Sequence, residues 1–292
     1  MTGCGAFVRV PENAAPSGAV IPEPATRAPR MSLALGGGAA RGFAHVGVIQ
    51  VLEQNGIRPD FVVGTSVGSM VAAMYASGKT SAELESTALS MEEAMLTDWS
   101  LPLFGRGVLR GEALTRYVRQ AVGGKLLENM KIPLGVLVTD LATGQGVLFR
   151  RGDTAQAVRA SSAVPGLFAP VNISGRDYVD GGLVAPVPVR QAREMGADIV
   201  VAVDISSAPE GNSAIGSVQV LLQTFAIMGQ SINRHELAAA DVVVRPALAG
   251  VSGADFSARL RSIEAGRVAM QAALPQLKTQ LSRRLPVTGN AP

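Results

Sequence analysis

Phe61-Val62-Val63-Gly64-Thr65-Ser66-Val67-Gly68-Ser69-Met70-Val71-Ala72-Ala73-Met74-Tyr75-Ala76 decides the fold of this chain. The short apolar run 61–63 reads as a buried strand, and the longer apolar stretch reads as a helix over 67–77 that stops at Gly78. Between them Gly64-x-Ser66-x-Gly68 sets a serine at the apex of a sharp strand-to-helix turn, the pattern of a nucleophile elbow. The two glycines permit a strained turn that a Cβ would obstruct. The serine oxygen then stands at a helix N-terminus, where unpaired N–H groups favour negative charge.

Upstream, Ser32–Leu35 reads as another strand, followed by Gly36-Gly37-Gly38-Ala39-Ala40-Arg41-Gly42 and a helix carrying Val46, Ile49, Val51 and Leu52 to Gly56. Strand, helix, strand, helix in that order indicates a parallel sheet. Downstream, the periodicity predicts helices over 80–96 and 111–122, with a loop from Trp99 to Arg110 between them. Strands are expected over 132–139, 146–149 and 199–203, with Asp177-Tyr178-Val179-Asp180 as a strand end. Further helices are expected over 154–161, capped by Asp153, over 187–195 and over 215–239. A short strand at 242–244 precedes a helical tail, 257–281, broken near Pro275.

Residues 1–30 read as a tail or tether, because prolines interrupt every possible element there. The folded unit is expected to span 31–285, a core of 31–205 with a helical part of 214–285, and 286–292 as a second tail. Thr2-Gly3-Cys4-Gly5 resembles the end of a bacterial lipoprotein signal with Cys4 acylated, the basic and apolar segments of which would lie upstream of Met1. A free cysteine on a tail is the alternative.

The chain has 292 residues and a formal charge of +3, with 47% hydrophobic and 4% aromatic residues. So small a charge and so few aromatics argue against nucleic acid as a partner. Cys4 is the single cysteine, which excludes an intrachain disulfide and a cysteine-based zinc site. No apolar run reaches the ~18 residues of a spanning helix.

The glycine run admits three chemical readings. A dinucleotide fingerprint fails because Arg41 takes the last glycine position, and a Walker loop fails for want of its Gly-Lys-Ser/Thr end. An oxyanion hole remains: small residues at a helix start expose N–H groups to a developing negative oxygen. A plain tight turn is the alternative. Ser66 needs a base. His235, late in the long helix, reads as solvated, and His45 reads as a packing or capping residue with an active-site role as the alternative. Asp180, at a strand end before Gly181-Gly182, becomes a plausible acceptor if a dry pocket raises its pKa; an ordinary Asp-Gly-Gly turn competes with that reading.

Leu35–Gly42, Gly64–Gly68, Ala160-Ser161-Ser162-Ala163-Val164-Pro165-Gly166-Leu167-Phe168-Ala169-Pro170 and Asp180-Gly181-Gly182 occur in that order. Together they resemble the patatin-like phospholipases, particularly the bacterial branch similar to neuropathy target esterase. The resemblance implies an α/β, three-layer patatin-like fold with a mainly parallel central sheet flanked by helices. It implies a bacterial serine acyl hydrolase, cytoplasmic or membrane-associated, that cleaves ester bonds of phospholipid or lysophospholipid, with no cofactor and no metal. Ser66 would be the nucleophile and Asp180 its base. The N–H groups of Gly37, Gly38 and Ala39 would form the oxyanion hole, and Arg41 would neutralise a phosphate or hold the loop. Gly36, Gly42, Gly64, Gly68, Gly181 and Gly182 would be the motif glycines. Many family members have one residue fewer before the glycine at 42; this chain shares its longer form with a subset of bacterial members, and the resemblance leaves open which N–H groups face the oxyanion. A non-catalytic lipid-binding or regulatory module and an acyltransferase are the competing readings. The apolar residues of the loop Asp98–Arg110 would either form a lid or a lipid-facing rim or fold back onto the core.

Overall fold

The computed structural model describes residues 27–92, 107–207 and 216–283. Cys4 and the tether up to residue 26, most of the expected lid loop 98–110, the end of the helix expected over 80–96, and the tail 284–292 lie outside the described residues.

The elements run β1 (Met31–Leu35), α1 (Phe43–Gln54), β2 (Phe61–Thr65), α2 (Val67–Ala76), α3 (Ser81–Ser90), β3 (Gly107–Leu109), α4 (Glu112–Ala121), β4 (Leu134–Asp140) and β5 (Gly146–Phe149). There follow α5 (Thr154–Ser161), β6 (Gly166–Phe168), β7 (Val171–Ile173), β8 (Arg176–Asp180), α6 (Val189–Glu194), β9 (Ile199–Val203), α7 (Ser217–Ala238), β10 (Val242–Val244) and α8 (Arg259–Arg283). The main sheet has the order β10-β9-β1-β2-β4-β8-β7, with β5 also pairing β4. From β10 to β4 the pairing is parallel, while β5 and β8 run antiparallel to β4, and β7 to β8. β3 and β6 form a separate parallel pair.

Side chains alternate across a strand, so each central strand feeds both faces of the sheet. Leu33, Leu35, Val62, Val136, Val201 and Val203 join α1, α2 and α8 in one buried cluster. Ala34, Val63, Val200 and Ala202 join Val189, Ala192 and Leu237, from α6 and α7, in the other. Three layers result, and strands buried on both faces read as continuous apolar runs. The fold class is the one expected.

The structure also departs from the sequence reading. α8 is continuous through Pro275, where a break was expected. Buried Ile263, Met270 and Leu277 recur every seven residues and hold both halves of α8 against one surface, so the missing backbone donor does not end the helix. β6 and β7 were not anticipated, and β4 begins at Leu134 rather than 132. Asp153 caps α5 as expected, accepting from the Gln156 N–H at 2.8 Å.

Candidate active site

β2 ends at Thr65, α2 begins at Val67, and Ser66 between them has φ 54° and ψ −128°. That left-handed conformation is unfavourable for a residue with a Cβ, and it is maintained by close backbone packing. A Cβ on Gly64 would stand 2.4 Å from Ser69 Cα, and one on Gly68 would stand 2.2 Å from the Leu35 carbonyl oxygen. The turn is therefore clamped on both sides. The Ser66 carbonyl accepts from the Ser69 hydroxyl at 2.6 Å, and its N–H donates to the buried Ser161 hydroxyl oxygen at 2.9 Å. Ser161 in turn donates to the Leu137 carbonyl at 2.6 Å. Nothing in the local sequence marks Ser161 as a support of the serine; its inclusion in the 160–170 block was the one signal available.

Thr65 pairs with Leu137 on β4, and Asp180 on β8 pairs with Val138, the next residue along the same strand. Ser66 and Asp180 thus stand on either side of β4, with the Ser66 hydroxyl near enough to favour the ionised Asp180 carboxylate. Asp180 is buried at 6% exposure. Its carboxylate accepts from the Gly182 N–H at 2.7 Å, its carbonyl accepts from the Thr139 hydroxyl, and its N–H donates to the Ala163 carbonyl. Burial pushes its pKa up from 3.8 to about 6, opposed by the Gly182 N–H and the nearby Ser66 hydroxyl. No cation contributes to the shift, so desolvation wins.

The glycine loop passes beside this pair. A Cβ on Gly37 would stand 3.1 Å from Ser66 Cβ. One expected oxyanion donor is engaged: the Gly37 N–H donates to the Pro186 carbonyl at 2.9 Å. The N–H groups of Gly38 and Ala39 have no acceptor among the described residues, and Ala39 takes a left-handed φ of 51° at the head of the turn Ala39–Gly42. His45 is fully buried. Its Nε2 hydrogen bonds the Gly36 carbonyl at 2.8 Å, which fixes the loop, and burial lowers its pKa to about 4. A neutral His45 therefore donates Nε2–H there, which makes it a packing residue. His235 is exposed on α7, as expected. Arg41 is half-buried, its guanidinium lowered by burial against the pull of Asp204, and its Nε has no partner among the described residues. Gly36 and Gly42 flank the loop, Gly36 donating its N–H to the Val203 carbonyl at 3.1 Å. Gly181 packs on the Leu137 carbonyl. No group of metal-ligating side chains occurs among the described residues.

A family profile described as patatin-like phospholipase matches residues 33–193, which hold Ser66, Asp180 and the glycine loop. The chain belongs to the patatin-like phospholipase family. Within it, an NTE family protein of Mycobacterium tuberculosis is 36% identical over 197 residues, covering 67% of this chain and 54% of the relative. Patatin-like phospholipase domain-containing protein 6 of Mus musculus is 31% identical over 188 residues, covering 62% of this chain and 14% of the mouse protein. The patatin-like chain thus spans about half the length of its mycobacterial relative. Among solved structures, VipD from Legionella pneumophila superposes with a TM-score of 0.55 at 15% identity, covering 85% of this chain and 67% of VipD, which supports the fold. No helix among the described residues is long and apolar enough to cross a membrane.

Proposed function

We propose that this patatin-like chain is a serine acyl hydrolase of the phospholipase A or lysophospholipase type, acting through Ser66 and Asp180. The observation that carries the reading is a strained elbow serine whose hydroxyl lies beside a buried carboxylate that has no cation partner among the described residues. An ionised Asp180 takes the Ser66 proton as the hydroxyl oxygen attacks the ester carbonyl. The free N–H groups of Gly38 and Ala39 lie on the loop that flanks Ser66 and receive the negative oxygen of the tetrahedral intermediate; removing one such donor typically costs ~3 kcal/mol of barrier. Collapse breaks the ester C–O bond as protonated Asp180 gives its proton to the leaving oxygen, releasing the alcohol, and the acyl-serine is then hydrolysed by water with the regenerated Asp180 carboxylate as the base. Arg41, beside the loop with its unpartnered Nε, is assigned to the phosphate of the lipid. Ser161 acts through Ser66, fixing the peptide that aims the nucleophile.

The test is hydrolysis of a p-nitrophenyl acyl ester and labelling by a fluorophosphonate probe. Ser66→Ala and Asp180→Asn are each expected to lose activity by at least ~1,000-fold, with circular dichroism unchanged. Ser66 alone should carry the label. Full turnover by folded Ser66→Ala protein would end this reading.

A further inference from the structure

α7 carries an exposed face that the fold does not use. Val220, Thr224, Ile227, Met228, Ser231, Arg234 and His235 recur at helical spacing and are all exposed. Val220, Ile227 and Met228 stand 52%, 53% and 46% exposed, well beyond what a core helix leaves open. The face changes character along its length. Its N-terminal half is apolar, and its C-terminal half ends in Arg234 and His235. It holds no acidic residue: Glu236, the single carboxylate of α7, is buried and paired with Arg190. An apolar stripe that leads into a basic end is the pattern of a helix lying in a lipid interface.

The opposite face of α7 ties this surface to the candidate site. Gly229 packs on Pro186, whose carbonyl holds the Gly37 N–H of the glycine loop. Asn233 Oδ1 accepts from the Val187 N–H at 3.2 Å. Near its start, Leu221 meets Gly166. α7 therefore lies over the segment that leaves Asp180-Gly181-Gly182. Beside its basic end opens a polar pocket of about 290 Å³ at the C-terminal ends of β9 and β10, lined by Asp204, Ser206, Asn233, Arg234 and Arg245 among others, in which Asp204 pairs with Arg245 and accepts from the Ser206 hydroxyl.

We propose that this face of α7 docks the protein onto an anionic lipid bilayer, with Val220, Ile227 and Met228 entering the acyl boundary and Arg234 meeting lipid phosphate. The inference rests on the acyl hydrolase reading for its biological sense, since docking there brings the lipid surface to the strand ends that carry the glycine loop. Its test does not need turnover. Full-length protein is sedimented with vesicles of phosphatidylcholine, with and without phosphatidylglycerol, at low and high salt. The wild type should bind the anionic vesicles more tightly, and salt should erase the difference. Ile227→Asp with Met228→Asp should weaken binding to both by about tenfold or more. Arg234→Ser should weaken binding to anionic vesicles alone, by about fivefold. Thermal unfolding of each variant checks that the fold is kept, as expected for exposed positions. The proposal is overturned if the wild type binds neither vesicle, if the double variant binds as the wild type does, or if the wild type is a dimer in solution that the double variant abolishes. Fluorophosphonate labelling of Ser66 is scored on the same samples. A labelled serine without vesicle binding removes the docking surface and leaves the hydrolase reading, and the reverse result removes the hydrolase reading alone.

Discussion

On the mechanism proposed, Asp180 is the residue on which chemistry and stability pull in opposite directions. Its pKa is raised to about 6 because a carboxylate is buried without a cation. The base must be ionised, so kcat/KM should fall tenfold per pH unit below about pH 6 and level off above it. His45 does not supply that limb, because burial holds it at about 4. Stability has the other sign. A group whose folded pKa lies above its unfolded value binds more protons when folded, so the fold is favoured at low pH and loses stability as pH rises from 3.8 through about 6. Asp180→Asn removes that loss. The variant should be inactive yet more stable than the wild type at pH 8 by on the order of 2–3 kcal/mol, an advantage that vanishes near pH 4. Urea unfolding at both pH values decides it, and an advantage that persists at pH 4 refutes the desolvation argument. The sharp turn at Ser66 and the strand end at Asp180 were legible because each is announced by neighbouring glycines. The grip on Ser66 was not, since Ser161 reaches its N–H across 95 residues of chain. Nor was the loss of Gly37 as a donor, which depends on where the Pro186 carbonyl arrives.

Among the elements, α1 and α8 cross with their backbones in close approach at two glycines. A Cβ on Gly47 would lie 1.9 Å from the Ile263 carbonyl oxygen and 2.7 Å from the Arg267 nitrogen, and one on Gly266 would lie 2.0 Å from the Ala44 carbonyl oxygen. Both obstacles are backbone, so neither can rotate away. Ala has the better helix propensity by ~1 kcal/mol, but forcing two helices apart typically costs ~1–3 kcal/mol or more. The clash should win. Gly47→Ala is expected to lower the thermal midpoint by roughly 4–8 °C, measured by calorimetry, and an unchanged or higher midpoint would show that the helices part freely. Such contacts explain which elements the sequence revealed. Phe61–Thr65 and Ile199–Val203 were readable from their apolar runs alone. β6 and β7 are three residues each, too short for a period to register, and they exist because β3 and β8 offer them pairing partners. Pro275 misleads for a similar reason: local propensity ends a helix there, while Met270 and Leu277, buried on either side, keep it straight.

At the scale of the whole molecule, the functional motifs occupy less of the chain than the fold needs. They end at Gly182, and the family profile ends at 193, yet β9 lies between β1 and β10 in the middle of the parallel sheet. α8, from the far end of the described chain, covers α1, whose residues Phe43 to Leu52 are all buried. We propose that 31–285 is one cooperative unit in which the last third is part of the core. Consider the chain ended after Ile205. It keeps Ser66, Asp180 and the glycine loop, but it loses Ile263, Met270 and Leu277, all fully buried. Each such side chain is worth about 1.5–3 kcal/mol, so these three alone rival the ~5–15 kcal/mol by which a domain is stable. The truncated chain should therefore show no cooperative thermal transition, no near-ultraviolet circular dichroism and no labelling of Ser66. A chain of residues 27–283 should show all three. If the shorter chain unfolds cooperatively and its serine still reacts, the C-terminal helices are an accessory layer and the strained elbow is held by the first two thirds of the molecule alone.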